Sequence, residues 1–407
     1  MQRSSERILT SHVGSLPRPD KLIALNNRRI VGDPIDEAAY AQELRNAVVD
    51  VVRHQQEVGV DLVTDGEYGH TMGYAYDYGA WWSYVFPRLK GLELVKMELW
   101  DVPQHREAEP GEVVLGSFND RRDWQQFGEA YADPATGCAL PDQLLAHFTP
   151  MVKGPISYQG HEALARDIAN LKAGLDAAGI EEGWMNSVAP ASCARLGNEF
   201  YATDDELLYA CADAMREEYQ AIIEAGLILQ LDDPAIAENW DQINPAPSVE
   251  AYRRFTMVRI DALNHAIRGL PQDRIRFHLC WGSWHGPHVT DIPMADIVDV
   301  MLAVNAGAYS FEAANVRHEH EWRVWQDVKL PDGKVILPGI VSHATNVIEH
   351  PEVVADRIVR YAEVVGRENV IASTDCGLGG RVHPQIAWAK LEALSQGAAL
   401  ASKRLWS

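Results

Sequence analysis

The sequence predicts an α/β protein, a single (β/α)8 barrel of the TIM type spanning residues 1–407 with a long insertion, about 92–143, after the second βα unit. Three observations carry this reading. Short β-branched or apolar runs alternate with longer helical patterns, the rhythm of βα units wrapped round a parallel sheet. Polar and ionisable side chains gather where the candidate strands end, and the C-terminal ends of parallel barrel strands are where such folds keep their chemistry. The chain has 407 residues, 47% hydrophobic and 23% charged, and α/β barrels of that length run as one domain.

In chain order the strand candidates are Ile8–Val13, Val60–Asp65, Gly154–Tyr158, Gly183–Val188, Leu227–Asp232, Ile275–Trp281, Ala308–Ala313, Val335–Val341 and Val370–Asp375. The segments between them are mostly helical. In Ala38–Gly59, Tyr40, Leu44, Val48, Val51 and Val52 recur at helical spacing and Gly59 ends the run. Leu207–Gly226 stops at a glycine in the same way. Glu352–Gly366 has Pro351 near its start and Gly366 at its end. Leu92–Gln143 fits the rhythm poorly: it holds Trp100, Pro103, Pro110, Trp124, Pro134 and Pro141, with charge clusters at Glu107–Glu112 and Asp120–Asp123. It is read as the insertion, a lid or a contact between subunits of a homo-oligomer. Nine candidates for eight places leave one surplus, and Gly183–Val188 is taken as that one on the ground of the resemblance given below.

Composition excludes several functions. A formal net charge of −22 argues against non-specific binding to nucleic acid or to an anionic membrane. It does not argue against an anionic small substrate, which needs only a local cation. No apolar stretch approaches a membrane span, and the polar start Met1–Arg7 carries no apolar h-region. The five cysteines, Cys138, Cys193, Cys211, Cys280 and Cys376, are odd in number and widely spaced, which fits free thiols in a reducing cytoplasm better than a disulfide scaffold.

The chemistry lies in Phe277-His278-Leu279-Cys280-Trp281, Ser310-Phe311-Glu312 and Ser373-Thr374-Asp375-Cys376-Gly377. His278 and Cys280 stand two apart and so share one face of a strand. With Glu312 and Cys376 they form a donor set suited to zinc. Structural zinc sites favour close Cys-x-x-Cys pairs; ligands dispersed over three strand ends favour a catalytic ion, with Glu312, the hardest donor, as the one a substrate would displace. Two thiolates make zinc a weak Lewis acid for hydrolysis but suit it to holding a substrate thiol deprotonated. The natural reaction is S-alkylation, and His343 in Val341-Ser342-His343 is placed to protonate the leaving group. Cys138, Cys193 and Cys211 read as structural. His285 and His288 read as loop histidines, and His318-Glu319-His320-Glu321 as a solvated helix start.

These motifs, together with Ser11-His12-Val13-Gly14-Ser15-Leu16-Pro17-Arg18-Pro19, Thr64-Asp65-Gly66-Glu67, Leu229-Gln230-Leu231-Asp232-Asp233-Pro234 and Asp375-Cys376-Gly377-Leu378, resemble those of cobalamin-independent methionine synthase and its shorter single-barrel relatives, which include the zinc-dependent epoxyalkane:coenzyme M transferases. The resemblance spans nearly the whole chain in order. It implies a (β/α)8 barrel, zinc on His278, Cys280, Glu312 and Cys376, a thiol pocket lined by Glu67 and Asp232, and His343 as the acid. It also implies that Gly183–Pro190 is an addition, as in the short relatives, because the family's catalytic barrel passes from its Gly-Pro strand directly to its Asp-Glu-Pro strand. The residues expected to meet substrate are His12, Ser15, Arg18, Glu67, Asp232, Trp281, Asn315 and Arg317, with Arg18 and Arg317 as candidate cations for an anionic thiol and alternatively as structural salt bridges. Asp232-Asp233-Pro234 departs from the family's Asp-Glu-Pro, which bears on amino-acid recognition.

The expected partners are therefore a small-molecule thiol and an alkyl donor. Methyl transfer to a homocysteine-like thiol leads. Epoxide opening by a thiol like coenzyme M is the alternative, and the two tryptophans Trp281 and Trp284 beside the metal would suit an apolar electrophile. A metal-free decarboxylase of the uroporphyrinogen type and a non-catalytic zinc-binding protein stand as further readings.

Overall fold

The computed structural model describes residues 1–71, 84–96, 113–116, 120–138, 148–282 and 284–407. In order, the strands are β1 (Leu9–Thr10), β2 (Leu89–Lys96), β3 (Phe148–Tyr158), β4 (Trp184–Val188), β5 (Gly197–Asn198), β6 (Ile228–Asp233), β7 (Ile275–Leu279), β8 (Ala308–Phe311), β9 (Val335–Val341) and β10 (Ile371–Thr374). Seven of them form one curled, all-parallel sheet in the order β1-β10-β9-β8-β7-β6-β4. Its edge strands are β1 and β4. The segment 62–63 hydrogen-bonds to both: Leu62 N–H donates to the Thr10 carbonyl (3.0 Å) and Trp184 N–H to the Val63 carbonyl (3.1 Å).

Helices cover the outer face, each begun and ended by recognisable residues. The helix Glu37–Glu57 starts where the Asp36 carboxylate accepts the N–H groups of Ala38 and Ala39. It turns Tyr40, Leu44, Val48, Val51 and Val52 inward, and each such apolar side chain, once buried, contributes about 1.5–3 kcal/mol. Asp204–Glu224 is capped by Thr203 and opens with Asp204, Asp205 and Glu206, whose charges favour the positive end of the helix dipole. Pro351–Val365 places its proline at the first turn, where no N–H is missed. No described helix is long and apolar enough to cross a membrane.

The main core lies between this helix layer and the sheet. A second, small apolar cluster of Leu9, Leu62, Trp184, Ile228, Ala308, Val335, Leu337 and Ile371 fills the concave side at the strands' N-terminal ends. Next to it the buried Arg276 of β7 donates to Ser11 Oγ and the His12 carbonyl and lies 4.1 Å over the Trp184 ring. Towards the C-terminal ends the concave face becomes polar: Asp232, His278 and Ser310 are lateral register partners across β6, β7 and β8.

Two expectations are corrected. Gly183–Val188 is not surplus: Trp184–Val188 is β4, in parallel register with β6 from Trp184–Ile228 to Val188–Asp232. The strand outside the parallel sheet is Gly154–Tyr158, the end of β3, which pairs antiparallel with β2 and belongs to a separate sheet β2-β3-β5. Pairing is decided by partners far away in the chain, and an apolar run does not name them. The material outside the βα rhythm thus reaches Tyr158. Of the marks that signalled an insertion, Trp124 and Pro134 lie among the described residues; Trp100, Pro103, Pro110 and Pro141 lie outside them.

Candidate metal centre and the pocket beside it

Strand alternation turns His278 and Cys280 to the concave face and sends Leu279 and Trp281 into the helix layer. Donor atoms of His278, Cys280 and Cys376 lie within 4.8 Å of one another, and so do those of Glu312, His343 and Asp375; all six residues are buried. Cys280 Sγ and Cys376 Sγ are 4.0 Å apart. Two thiolates on a tetrahedral zinc with bonds of about 2.3 Å would be about 3.8 Å apart. His278 Nδ1 is 3.1 Å from Ser310 Oγ, while its buried Nε2 has no hydrogen-bond partner. An orphaned imidazole nitrogen beside two sulfurs fits a soft-donor cation.

Electrostatics point the same way. Burial drives the Glu312 carboxyl up to about 7, opposed by His318 and reinforced by the charges of Asp375 and Cys376. A hydrogen bond from Cys280, with the charges of Arg381 and His278, pulls the Cys376 thiol well below its usual value against the effect of burial. This concentration of buried negative charge is what a bound cation would neutralise. Zinc held by His278, Cys280, Glu312 and Cys376 therefore fits the residues present.

Glu312 has a second hold. Its Oε1 accepts the Trp281 N–H (2.9 Å) and its Oε2 accepts Asn315 Nδ2 (2.8 Å). Asn315 is fixed in turn by Asp375, which accepts the backbone N–H groups of Ala313, Ala314 and Asn315.

A second group of polar side chains adjoins these donors. Asn186 Nδ2 lies 3.1 Å from both Glu67 Oε1 and Asp232 Oδ2, and Gln230 Nε2 donates to Asp232 Oδ1 (2.7 Å) and to the Val13 carbonyl. Burial raises the Asp232 carboxyl to about 7, with Glu67 adding to the rise and His278, Asn186 and Gln230 opposing it. Glu67 sits at φ 61°, an uncommon conformation for a side chain other than glycine. Room for its carboxylate comes from Gly14, at φ +142°, where a Cβ would overlap Glu67 Oε1.

The other expected substrate residues are placed as follows. Arg18 is buried and donates to the carbonyls of Glu67 and His70, so it props the loop that presents Glu67. His12 has both nitrogens engaged, Nδ1 accepting the Gly14 N–H and Nε2 against Gln55 Oε1 at 2.8 Å, and burial lowers it to about 4. The Ser15 carbonyl accepts the N–H groups of Leu378 and Gly379, tying the first loop to the one after Cys376. The Trp281 ring is buried, with Nε1 donating to the Ile292 carbonyl, and its backbone N–H donates to Glu312. Arg317 is exposed and donates to the Val289 carbonyl. Asp233, one residue past Asp232, faces the opposite side and accepts from Ser192 Oγ.

One expectation about the histidines is corrected. His318 does not belong to a solvated helix start: it is buried, contacts Asp291 at 3.1 Å and Glu321 at 2.8 Å, and packs its ring on Trp281, while His288, in a loop as expected, also contacts Asp291 at 3.1 Å. His285 Nε2 lies 3.1 Å from the His343 carbonyl, and the two rings are parallel at 6.5 Å. Two residues at the site escaped the sequence reading. Asn186 was hidden by treating its strand as surplus, although it stands two residues from the inward Trp184. Arg381, whose charge acts on Cys376, His343 and His285, follows the Cys376 motif by five residues with no pattern to single it out.

The profile of the family described as "Cobalamin-independent synthase, Catalytic domain" matches residues 190–399, just over half of the chain. The chain belongs to this family. Among curated proteins, a methionine synthase from Thermococcus kodakarensis is 22% identical over 400 residues, covering 97% of this chain and 94% of its own. A 2-hydroxypropyl-CoM lyase from Xanthobacter autotrophicus is 23% identical over 421 aligned positions, covering 96% and 94%. In structure, a B12-independent methionine synthase from Shewanella sp. W3-18-1, solved with selenomethionine, superposes with a TM-score of 0.69 at 20% identity over 98% of this chain and 99% of that one. The fold is thus that of the cobalamin-independent synthases, and a methionine synthase-like transferase is the family's coarse assignment.

Proposed function

We propose that the protein is a zinc-dependent transferase in which a thiolate activated by zinc attacks an alkyl electrophile, with methyl transfer to a homocysteine-like thiol as the leading reaction. The observation that carries this is the convergence of His278, Cys280 and Cys376 donors within 4.8 Å, with Glu312 near enough for its charge to act on His278 and Cys376. A bound zinc would supply a thiolate nucleophile near neutral pH. The rest falls to the chain's own groups. Glu67 and Asp232, joined by Asn186, bind the polar part of the thiol substrate. Glu312, when displaced, keeps the two hydrogen bonds from Trp281 and Asn315. Burial lowers His343 to about 3 and so keeps it neutral, and its buried Nδ1 has no hydrogen-bond partner; His343 is the group that would pass a proton to the leaving group, without storing it beforehand.

In the same reading the barrel is closed and eight-stranded, with 62–63 as the stave between β1 and β4. The concave apolar cluster, which takes Leu9 from β1, Leu62 from this segment and Trp184 from β4, supports that closure. The protein is a single domain that works in the cytoplasm.

A second reading, the opening of an epoxide by a thiol like coenzyme M, is favoured by a specific departure. The family's Asp-Glu-Pro glutamate is replaced by Asp233, which bonds to Ser192 on the far side of the strand. The 2-hydroxypropyl-CoM lyase also matches over as much of the chain as the methionine synthases do. A matrix of thiols against methyl and epoxide donors, run with wild type and Cys376→Ala, tests both. Product formed by the wild type alone names the reaction. Full activity after zinc is removed by a chelator overturns the zinc reading.

A further inference from the structure

The described part of the insertion reaches the loop that follows Cys280. Its Asp123 is 1% exposed, and its carboxylate accepts the His288 N–H (3.2 Å), the Val289 N–H (3.0 Å) and the Tyr131 hydroxyl (2.7 Å). The Tyr131 oxygen then accepts Trp284 Nε1–H at 2.9 Å. The Trp284 ring meets the Arg121 guanidinium, 4.5 Å from its centroid, and the stacked His288 ring, also at 4.5 Å. Arg121 is fully buried and paired with Glu238 and Asp241 in the segment after β6, which gives the insertion a second anchor besides the loop it grips.

Trp284 connects this grip to the donor set. Its ring covers Gly282, at φ +108°, so closely that a Cβ on Gly282 would overlap it. The Gly282 N–H donates to Cys280 Sγ at 3.3 Å. Gly286 is the second point of close approach, where a Cβ would overlap the Tyr131 hydroxyl. An unbroken line of contacts therefore runs from Asp123 through Tyr131, Trp284 and Gly282 to the Cys280 sulfur.

We propose that Asp123 and Tyr131 are positioning residues for the Cys280 sulfur: by fixing Trp284 over Gly282 they hold the Gly282 N–H on the thiolate, and so set the sulfur's direction and basicity toward a metal. This rests on the zinc reading above. An N–H···S bond removes electron density from a thiolate and fixes its lone pairs, and outer partners of this kind commonly alter metal affinity by about 10–100-fold. The insertion is then part of the metal centre, although none of its described residues is a donor.

The test uses the full chain loaded with zinc or with cobalt(II). Zinc transfer to 4-(2-pyridylazo)resorcinol is timed, and the sulfur-to-cobalt charge-transfer band is recorded, for wild type, Tyr131→Phe, Trp284→Phe, Gly286→Ala and the exposed control Gln126→Ala, with circular dichroism checking the fold. Tyr131→Phe removes the hydroxyl that donates to Asp123 and accepts from Trp284, and Trp284→Phe removes the indole N–H on the other side of the Tyr131–Trp284 bond. Each is expected to release zinc about tenfold faster and to shift the band, and the double variant to behave like either single one. Gly286→Ala should do the same, and Gln126→Ala should match wild type. Release rates and bands equal to wild type in both Tyr131→Phe and Trp284→Phe overturn the proposal while leaving the metal centre standing. A wild type that takes up neither zinc nor cobalt overturns both.

Discussion

Asn186 joins Glu67 and Asp232: one amide nitrogen lies 3.1 Å from a carboxylate oxygen of each. An amide offers two N–H groups, so it can satisfy both acids at once and separate two like charges that would otherwise meet in a buried space. The three residues come from the loop after 62–63, from β4 and from β6, and they meet only because β4 lies beside β6. Asn186→Leu keeps the approximate volume and removes both donors. It is expected to raise KM for the thiol by about 10–100-fold, since buried acceptors left unpaired cost about 1–3 kcal/mol. Zinc content should remain at the wild-type level. An unchanged KM would remove Glu67 and Asp232 from the thiol pocket.

The donor set makes a sharper prediction. Cys376→Ala removes one of two sulfurs, and metal analysis of the purified protein should fall from about one zinc per chain to a small fraction of that. Cys193→Ala is the control: that thiol is also buried, but burial pushes it well above its usual pKa, as expected of a packed apolar thiol. Equal zinc in the two variants would exclude Cys376 as a ligand.

The contrast between these two sites explains what was legible beforehand. His278 and Cys280 could be read because strand alternation is local: two residues apart means one face. Asn186 obeys the same rule relative to Trp184, yet its strand was set aside in favour of Gly154–Tyr158. Both are short apolar runs, and only pairing across the chain separates β4, beside β6, from β3, beside β2. Arg18 and Arg317 were correctly located near strand ends, but an arginine that braces carbonyls and one that awaits an anion have the same sequence. For His288 and His318 the missing information was the Asp291 carboxylate, which turns two loop histidines into a buried charged group.

That group sets a pH dependence. Burial alone would lower both imidazoles; the Asp291 carboxylate between them, with Glu321 beside His318, instead raises His288 to about 9 and His318 to about 10. The unfolded value is about 6.5, so the folded state binds these protons more tightly. The stability they contribute is complete below about pH 6.5 and is lost as pH rises through 9 to 10. Asp291→Asn should therefore be much less stable than wild type at pH 7, and the difference should shrink by pH 10.5. Urea unfolding of the metal-free proteins across that range checks it, the titration of the cysteines being common to wild type and variant. A gap constant with pH would mean that the histidines are neutral in the fold.

Lys390 governs the segment that carries His343. Its side chain is fully buried, and its ammonium donates to Glu349 Oε2 (2.9 Å) and to the Val347 carbonyl (2.7 Å), while Glu349 Oε1 accepts the Ser342 N–H (2.8 Å). The last helix, Pro384–Leu405, thereby fixes both ends of the loop from Ser342 to Glu349. Lys390→Met leaves the largely buried Glu349 carboxylate without its cation. Removing one partner of a buried pair costs about 3–5 kcal/mol, which urea unfolding would register. Lys390→Met combined with Glu349→Gln removes both charges yet keeps an acceptor for Ser342 N–H, so it should recover most of that stability. If the loop also holds His343 for proton delivery, the single variant lowers kcat with zinc content unchanged, and the double variant restores much of it. Stability that recovers while kcat stays low would assign the ammonium's charge, rather than the loop's geometry, to the reaction.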